Sequence, residues 1–217
     1  MKLVVVGGQG RKVGKTSVIA GLIRGLNTLA WTAVKISHHG GDADLQDTPS
    51  ADDLPAHLDF VLSEEKDPKR QGDTSLYLAA GARRALWLRA RGGRLAQALP
   101  GLLEALVGDE HVIIESNSIL GFLQPAVFLL VIGELGRELK ASARQFLGRA
   151  DGLVTVGSEL KAPVWPGTSP QMLEGKPVFP VSPGEWSNPA LCCFVRERLA
   201  SAGEQGYPGP IMRSADL

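Results

Sequence analysis

The sequence predicts a three-layer α/β fold, a mostly parallel sheet with helices on both faces, on three observations. Short continuous apolar runs recur at residues 3–6, 112–114 and 126–132, without the alternation of a sheet that faces water. Between such runs lie segments with helical spacing, as where Val18, Ile19, Leu22, Ile23 and Leu26 share one face. The first apolar run passes through a glycine-rich turn straight into that helix, giving the order strand, loop, helix.

Taken in order, residues 3–6 form the first strand and residues 15 to about 29 its helix. Residues 31–36 form a second, mixed strand that ends at Ser37-His38-His39-Gly40-Gly41. From 42 to 72 the chain becomes acidic, proline-containing and weakly periodic, which reads as an irregular insertion or a lid. A short helix at 73–82 follows, with Asp73 or Thr74 as its cap, then a strand at 85–88 and a helix at 95–106. The strand at 111–115 ends in a carboxylate, and 126–132 is a continuous apolar strand. A helix across 134–147, strands at 152–156 and 178–181, and a last helix over about 189–199 complete the pattern. One nucleotide-binding domain is expected over residues 1–200, with 201–217 as a disordered tail.

The loop after the first strand carries the strongest chemical signal. Gly8-Gln9-Gly10-Arg11-Lys12-Val13-Gly14-Lys15-Thr16-Ser17 ends in Gly-Lys-Thr where the helix begins, the pattern of a phosphate-binding loop. Backbone N–H groups of such a loop and of the helix start present positive partial charge to phosphate oxygens. Gly8, Gly10, Lys12, Val13, Gly14, Lys15, Thr16 and Ser17 are therefore the expected nucleotide-binding residues. Lys15 is expected to reach the β- and γ-phosphates and the Thr16 hydroxyl to sit on Mg²⁺. One irregularity stands out: the G-x-x-x-x-G-K-[ST] spacing puts Gln9 at its first position, and starting from Gly8 lengthens the loop by one residue.

In an open α/β sheet, ligands sit at the carboxyl ends of the strands. Four such ends carry polar residues: the 8–16 loop, Lys35 with His38 and His39, Glu115 with Ser116 and Asn117, and Gly157 with Ser158. A carboxylate closing a buried strand is costly unless it meets a cation or donors, so Glu115 is expected to help hold Mg²⁺; a strand-end carboxylate facing solvent is the alternative. Lys35 interrupts an apolar run in the same way. It would bind a transferred phosphoryl group or an acidic substrate, or else point outward from a half-exposed strand. Adjacent residues of an extended chain face opposite ways, so His38 and His39 do not suit one metal ion; either would contact substrate at the rim. Lys12 adds charge to the loop or faces solvent, and Asp73-Thr74 begins a helix, where capping is the plain explanation. Residues 177–184 follow a late strand at the same rim and would suit a base-contacting loop.

Composition narrows the partners. Lys+Arg 23 balances Asp+Glu 23, so no bulk electrostatic case exists for nucleic acid or an anionic membrane. The two cysteines, Cys192 and Cys193, are adjacent and suit reduced thiols in a cytoplasmic protein. Met1-Lys2 leads directly into the first strand, leaving no room for a signal peptide, and the apolar stretch 119–133 is broken by Gln124-Pro125 and reads as buried sheet. A soluble protein is expected.

The motifs resemble known families. The loop from Gly8, with Val13 before Gly14, resembles that of dethiobiotin synthetase and its cobyric-acid relatives. Val34-Lys35-Ile36-Ser37-His38-His39-Gly40 is similar to the Lys-x-x-His-His stretch of the molybdopterin-guanine dinucleotide biosynthesis protein B family. Gly72-Asp73-Thr74-Ser75 followed by Ala80-Gly81-Ala82 resembles another segment of it. Val112-Ile113-Ile114-Glu115 is similar to the carboxylate-ending strand of both. The resemblance runs from about residue 2 to 132 and implies a P-loop NTPase, dimeric and binding GTP or ATP, that assists attachment of GMP to molybdopterin beside a guanylyltransferase partner. It implies that Gly14, Lys15 and Thr16 bind phosphates and Mg²⁺, that Glu115 helps hold the metal, and that Lys35 and Asp73 line the site. Two departures matter: Ser116-Asn117 stands where the relatives have glycine, and no Asn-Lys-x-Asp guanine signature occurs.

Three functions follow, in order. The first is slow nucleotide hydrolysis in molybdenum-cofactor maturation, with Lys15, Lys35 and Glu115 as the catalytic set. The second is an ATP-dependent ligase of the dethiobiotin synthetase type. The third is a non-enzymatic nucleotide-gated regulator whose 42–72 segment orders with nucleotide.

Overall fold

A computed structural model describes residues 1–39, 54–55, 57–133, 139–157 and 168–202. Its strands are β1 (Lys2–Gly8), β2 (Trp31–His39), β3 (Phe60–Glu65), β4 (Arg84–Arg91), β5 (His111–Glu115), β6 (Val127–Ile132), β7 (Gly152–Val156) and β8 (Val178–Val181). They form an 8-stranded sheet in the order β3-β4-β2-β5-β1-β6-β7-β8. Every pairing is parallel except β3 with β4. The helices are α1 (Lys15–Gly25), α2 (Asp73–Ala79), α3 (Leu95–Ala105), α4 (Ala141–Phe146) and α5 (Pro189–Ser201).

Successive strand residues face opposite ways, and that alternation sorts the core into two layers. Val4, Val6, Ala33, Ile113 and Leu129 pack with Val18, Ile19 and Leu22 of α1, Tyr77 of α2, and Leu191 and Val195 of α5. On the other face Val5, Val34, Leu86, Ile114 and Leu130 pack with Leu95, Leu99 and Leu102 of α3 and Ala143 and Phe146 of α4. Strands covered on both faces carry no polar alternation, which explains the continuous apolar runs of β1, β5 and β6. Each fully buried Val, Leu or Ile contributes about 1.5–3 kcal/mol from burial. The sheet is thus the three-layer α/β arrangement the sequence predicts. β2 lies to one side of β1 and β6 to the other, so the winding reverses beside β1, whose carboxyl end is where open α/β sheets bind ligands.

Several element boundaries differ from the sequence reading; β2 runs on to His39 and α2 ends at Ala79, and four further differences have a physical reason. Within the 42–72 stretch, expected to be irregular, residues 60–65 form β3, which pairs antiparallel with β4 as an edge strand. An edge strand with partly exposed faces lacks the apolar run that marks a central strand. Residues 40–53 and 56 of that stretch lie outside the described residues. β4 spans Arg84–Arg91, longer than 85–88, because its alternating arginines obscure it. α1 stops at Gly25, not near residue 29, since tight turns at Leu26 and Leu29 return the chain to β2. The helix expected across 134–147 is confined to Ala141–Phe146, followed by a 3-10 turn at Leu147–Arg149. Lys140 is extended, and its N–H goes to Gln9 O at 2.9 Å, not into a helix. Residues 134–138 lie outside the described set, as does the expected tail beyond residue 202. No described helix is long and apolar enough to cross a membrane.

Candidate functional site

The chain between β1 and α1 is fixed by the direction of the β1 backbone. Alternate residues of β1 turn their polar groups to opposite neighbours: Gln9 donates to Val131 O on the β6 side, and Val6 O accepts from Ser116 N on the β5 side. Gly8 therefore faces β5 beyond the last rung of that ladder, Val6 with Glu115. Asn117 takes the place of the missing strand. Its Oδ1 accepts from the Gly8 N–H at 2.9 Å, and its Nδ2 donates to Gly8 O at 2.9 Å and to Ser142 Oγ at 3.3 Å. Gly7 leaves room for this amide: a Cβ there would run into Asn117 Oδ1 and lie 2.8 Å from Phe128 Cε2.

Gln9 is fully buried and ties the loop to the other side. Its Oε1 accepts from the Gly133 N–H at 3.2 Å and its carbonyl from Lys140 N at 2.9 Å. The residue that breaks the usual spacing is thus a structural clamp. The close approach that demands glycine falls at Gly8, where a Cβ would lie 2.6 Å from Lys15 Cδ and 2.8 Å from Val13 Cγ2. Gly14, at φ 94°, supplies the left-handed turn into α1. Lys12 also has positive φ and is exposed, whereas Val13 is buried against Gly133.

Three side chains converge on Glu115, itself only 7% exposed. The Thr16 hydroxyl donates to Oε2 at 2.9 Å, the Tyr77 hydroxyl donates to the same oxygen at 2.5 Å, and Lys15 Nζ lies 3.7 Å from Oε1. Lys15 Nζ also donates to Gly10 O at 3.0 Å, so its ammonium spans the loop. Burial, then the Glu115 charge, pushes the Tyr77 phenol well above its ordinary range and keeps it a donor. Lys35 is the cross-strand neighbour of Glu115 and forms an ion pair with Asp73. Burial draws the Lys35 ammonium below the usual lysine range; the Glu115 charge opposes that shift and the Lys15 charge adds to it.

Of the residues singled out in the sequence, Gly8, Gly10, Gly14, Lys15, Thr16, Lys35, Asp73 and Glu115 come together at one rim. Ser17 lies in the first turn of α1. His38 stands on the opposite sheet face, next to Ile36 in β2, and pairs with Ala90; His39 continues β2 opposite Arg91. His38 therefore does not belong to the Glu115 cluster. Asp73 makes no side-chain cap on α2, whose N-cap is Gly72; its carboxylate goes to Lys35 instead. Asn117 was placed at the rim but not as a bridge to Gly8, and Tyr77 and the Gln9 clamp were not anticipated. Tyr77 is legible in hindsight, because it follows Asp73 by four residues and shares its helix face. Trp186 was also missed: its ring packs where a Gly14 Cβ would be, at 2.9 Å, beside Val156 of β7.

A glycine loop from a central strand into a helix, Lys-Thr at that helix start and a carboxylate closing the adjacent parallel strand settle the architecture. It is a three-layer, mostly parallel α/β sheet with a glycine-rich loop at its switch point.

No known protein-family model matches the chain, and neither does any curated protein. Among solved structures it is similar to the "apo" form of LpxK from Aquifex aeolicus in complex with ATP, at 17% identity and a TM-score of 0.46. That match covers 83% of this chain and 53% of the other, so the chain spans about half the length of LpxK.

Proposed function

We propose that this chain binds a Mg²⁺–nucleoside triphosphate, GTP or ATP, at the β1–α1 loop and hydrolyses it slowly, as one nucleotide-binding domain over residues 1–200. The observation that carries the reading is the convergence of Thr16, Lys15 and Tyr77 on Glu115. Thr16 and Glu115 are hard oxygen donors 2.9 Å apart, a donor set that fits Mg²⁺, which would neutralise charge on the β- and γ-phosphates. Lys15 and the loop N–H groups would hold those phosphates, while Tyr77 keeps the Glu115 carboxylate oriented. Lys35 would face the terminal phosphoryl group, being next to Glu115 across the sheet. The nucleoside would then extend the other way, toward Gly14, Val156 and Trp186, where the segment after β8 supplies the base contact.

The biological role that the family resemblance supports is accessory to molybdenum-cofactor maturation in the cytoplasm, as a homodimer beside a molybdopterin guanylyltransferase. The second reading, an ATP-dependent ligase, draws support from the partly exposed Lys35–Asp73 pair beside Glu115, which suits an acceptor for a phosphoryl group. Calorimetric titration of ATP and GTP with Mg²⁺ tests the proposal. Binding in the micromolar range is expected, weakened by about 100-fold or more in Lys15→Ala. GTP preference favours the cofactor role, and ATP preference favours the ligase. Absence of binding by either nucleotide, or equal binding by Lys15→Ala, would overturn the reading.

A further inference from the structure

Two successive carbonyls of the β1–α1 loop are held by two different lysines. Gln9 O accepts from the Lys140 backbone N–H at 2.9 Å, and Gly10 O accepts from Lys15 Nζ at 3.0 Å. Neighbouring residues are roughly 3.8 Å apart at Cα, so the main chain of Lys140 runs beside the strip of loop that Lys15 reaches. The chain on either side is tied down as well. Ser142 Oγ accepts from Asn117 Nδ2 at 3.3 Å, and Gly133 packs on Val13, whose Cγ1 would lie 3.2 Å from a Cβ there. Lys140 is thereby fixed to the rim on the β6 side, whereas Lys35 comes to Glu115 from β2.

The two flanking lysines meet different surroundings. Lys35 has Asp73 as its ion-pair partner and the Glu115 charge beside it. Lys140 is exposed, and among the described residues its side chain has neither a hydrogen bond nor an ion pair. Partial burial, then the Arg11 charge and then the Lys15 charge, draw its ammonium below the usual lysine range, and no carboxylate opposes them. Glu115 answers Lys15 and Lys35 but not Lys140. Like charges gathered over one loop repel, and a polyanion between them would turn that repulsion into attraction. The loop's direction says which part of a nucleotide belongs here. Gly14 lies against Trp186, where the nucleoside is placed, and Gln9 and Gly10 stand at the opposite end of the loop.

We infer that Lys140 Nζ contacts the terminal phosphate of the nucleoside triphosphate from the β6 side, with Arg11 beside it, as a catalytic cation of the hydrolysis. The inference rests on the nucleotide reading and adds a residue to it. In that reaction a water oxygen bonds to the terminal phosphorus. The bond from phosphorus to the bridging oxygen breaks, and its electron pair stays on the nucleoside diphosphate. One proton of the water remains on the released phosphate and the other passes to solvent. Lys140 exchanges no proton; it supplies positive charge to the oxygens of the group in transfer. In the sequence Lys140 reads as one polar position of a helix over 134–147, but that helix starts at Ala141 and leaves Lys140 extended on the loop.

The test compares wild type, Lys140→Gln, Lys140→Arg and Lys69→Gln by steady-state hydrolysis and by calorimetric titration. The titrants are non-hydrolysable analogues of ATP and GTP and the two diphosphates, all with Mg²⁺. Lys140 holds Gln9 through its backbone, so exchanging its side chain leaves the loop anchored. Lys140→Gln should weaken triphosphate binding about tenfold and diphosphate binding less than about twofold, and should lower kcat about 10–100-fold. Lys140→Arg keeps the charge and should restore most of each. Lys69→Gln removes the same charge from the exposed turn between β3 and α2 and should change none of them. Unchanged kcat and triphosphate affinity in Lys140→Gln, equal weakening of triphosphate and diphosphate, or an equal loss in Lys69→Gln would overturn the assignment and leave the nucleotide reading standing. Wild-type protein that binds none of the nucleotides would overturn both.

Discussion

Glu115→Gln is expected to lower nucleotide hydrolysis on the order of 100-fold and to raise the Mg²⁺ concentration needed for half-maximal rate. The substitution keeps size and shape, so β5 should pack as before. What changes is the electrostatics of the rim. Oε2 of Glu115 takes both the Thr16 and Tyr77 hydroxyls, and an amide oxygen can still accept them. The other position, 3.7 Å from Lys15 Nζ, would then carry an NH₂ group facing an ammonium. The charge that Lys15 and Lys35 share is lost, and so is the anionic donor for the metal. Tyr77→Phe keeps the carboxylate charge and removes only one orienting hydrogen bond, so its loss should be roughly tenfold at most. Steady-state hydrolysis with a Mg²⁺ titration on both variants measures this. An unchanged rate and metal dependence in Glu115→Gln would remove Glu115 from the site.

Gly7→Ala is expected to destabilise the protein by about 2–4 kcal/mol, read from urea unfolding midpoints. Its methyl group would have to displace both the Asn117 carboxamide and the Phe128 ring. Moving the amide leaves the Gly8 N–H and carbonyl without their partner at the end of the sheet. Because the two residues compete for one space, Asn117→Gly should relieve part of the Gly7→Ala penalty, an interaction that a double-mutant cycle detects. Wild-type stability in Gly7→Ala would contradict the contact that anchors the loop.

These two sites show what the sequence made legible. The parallel sheet could be read because β1, β5 and β6 are buried on both faces, and burial on both faces writes itself as uninterrupted apolar residues. Lys15, Thr16 and Glu115 could be read because a glycine loop and a carboxylate at a strand end are rare without a polar ligand or partner. Asn117 could not, since its role depends on Gly8 outrunning the β5 ladder, a matter of register between strands far apart in sequence. Gln9 read as a flaw in the loop because a spacing pattern carries no information on which residue contacts Lys15; that contact falls on Gly8. β3 was hidden by its place at the edge, and the full length of β4 by an alternation that resembles a solvated face. His38 was drawn toward the site by its sequence position, but the pleat of β2 turns it to the other side.

The most direct measurement of the central claim is a crystal structure with Mg²⁺ and a non-hydrolysable nucleoside triphosphate. The expected result places the metal about 2.1 Å from Thr16 Oγ1, with Glu115 reached directly or through a water. The terminal phosphate should then lie on the Lys35 side and the nucleoside beside Trp186. A nucleotide with its phosphates away from Lys15, or with its base on the β2–β4 side, would contradict it.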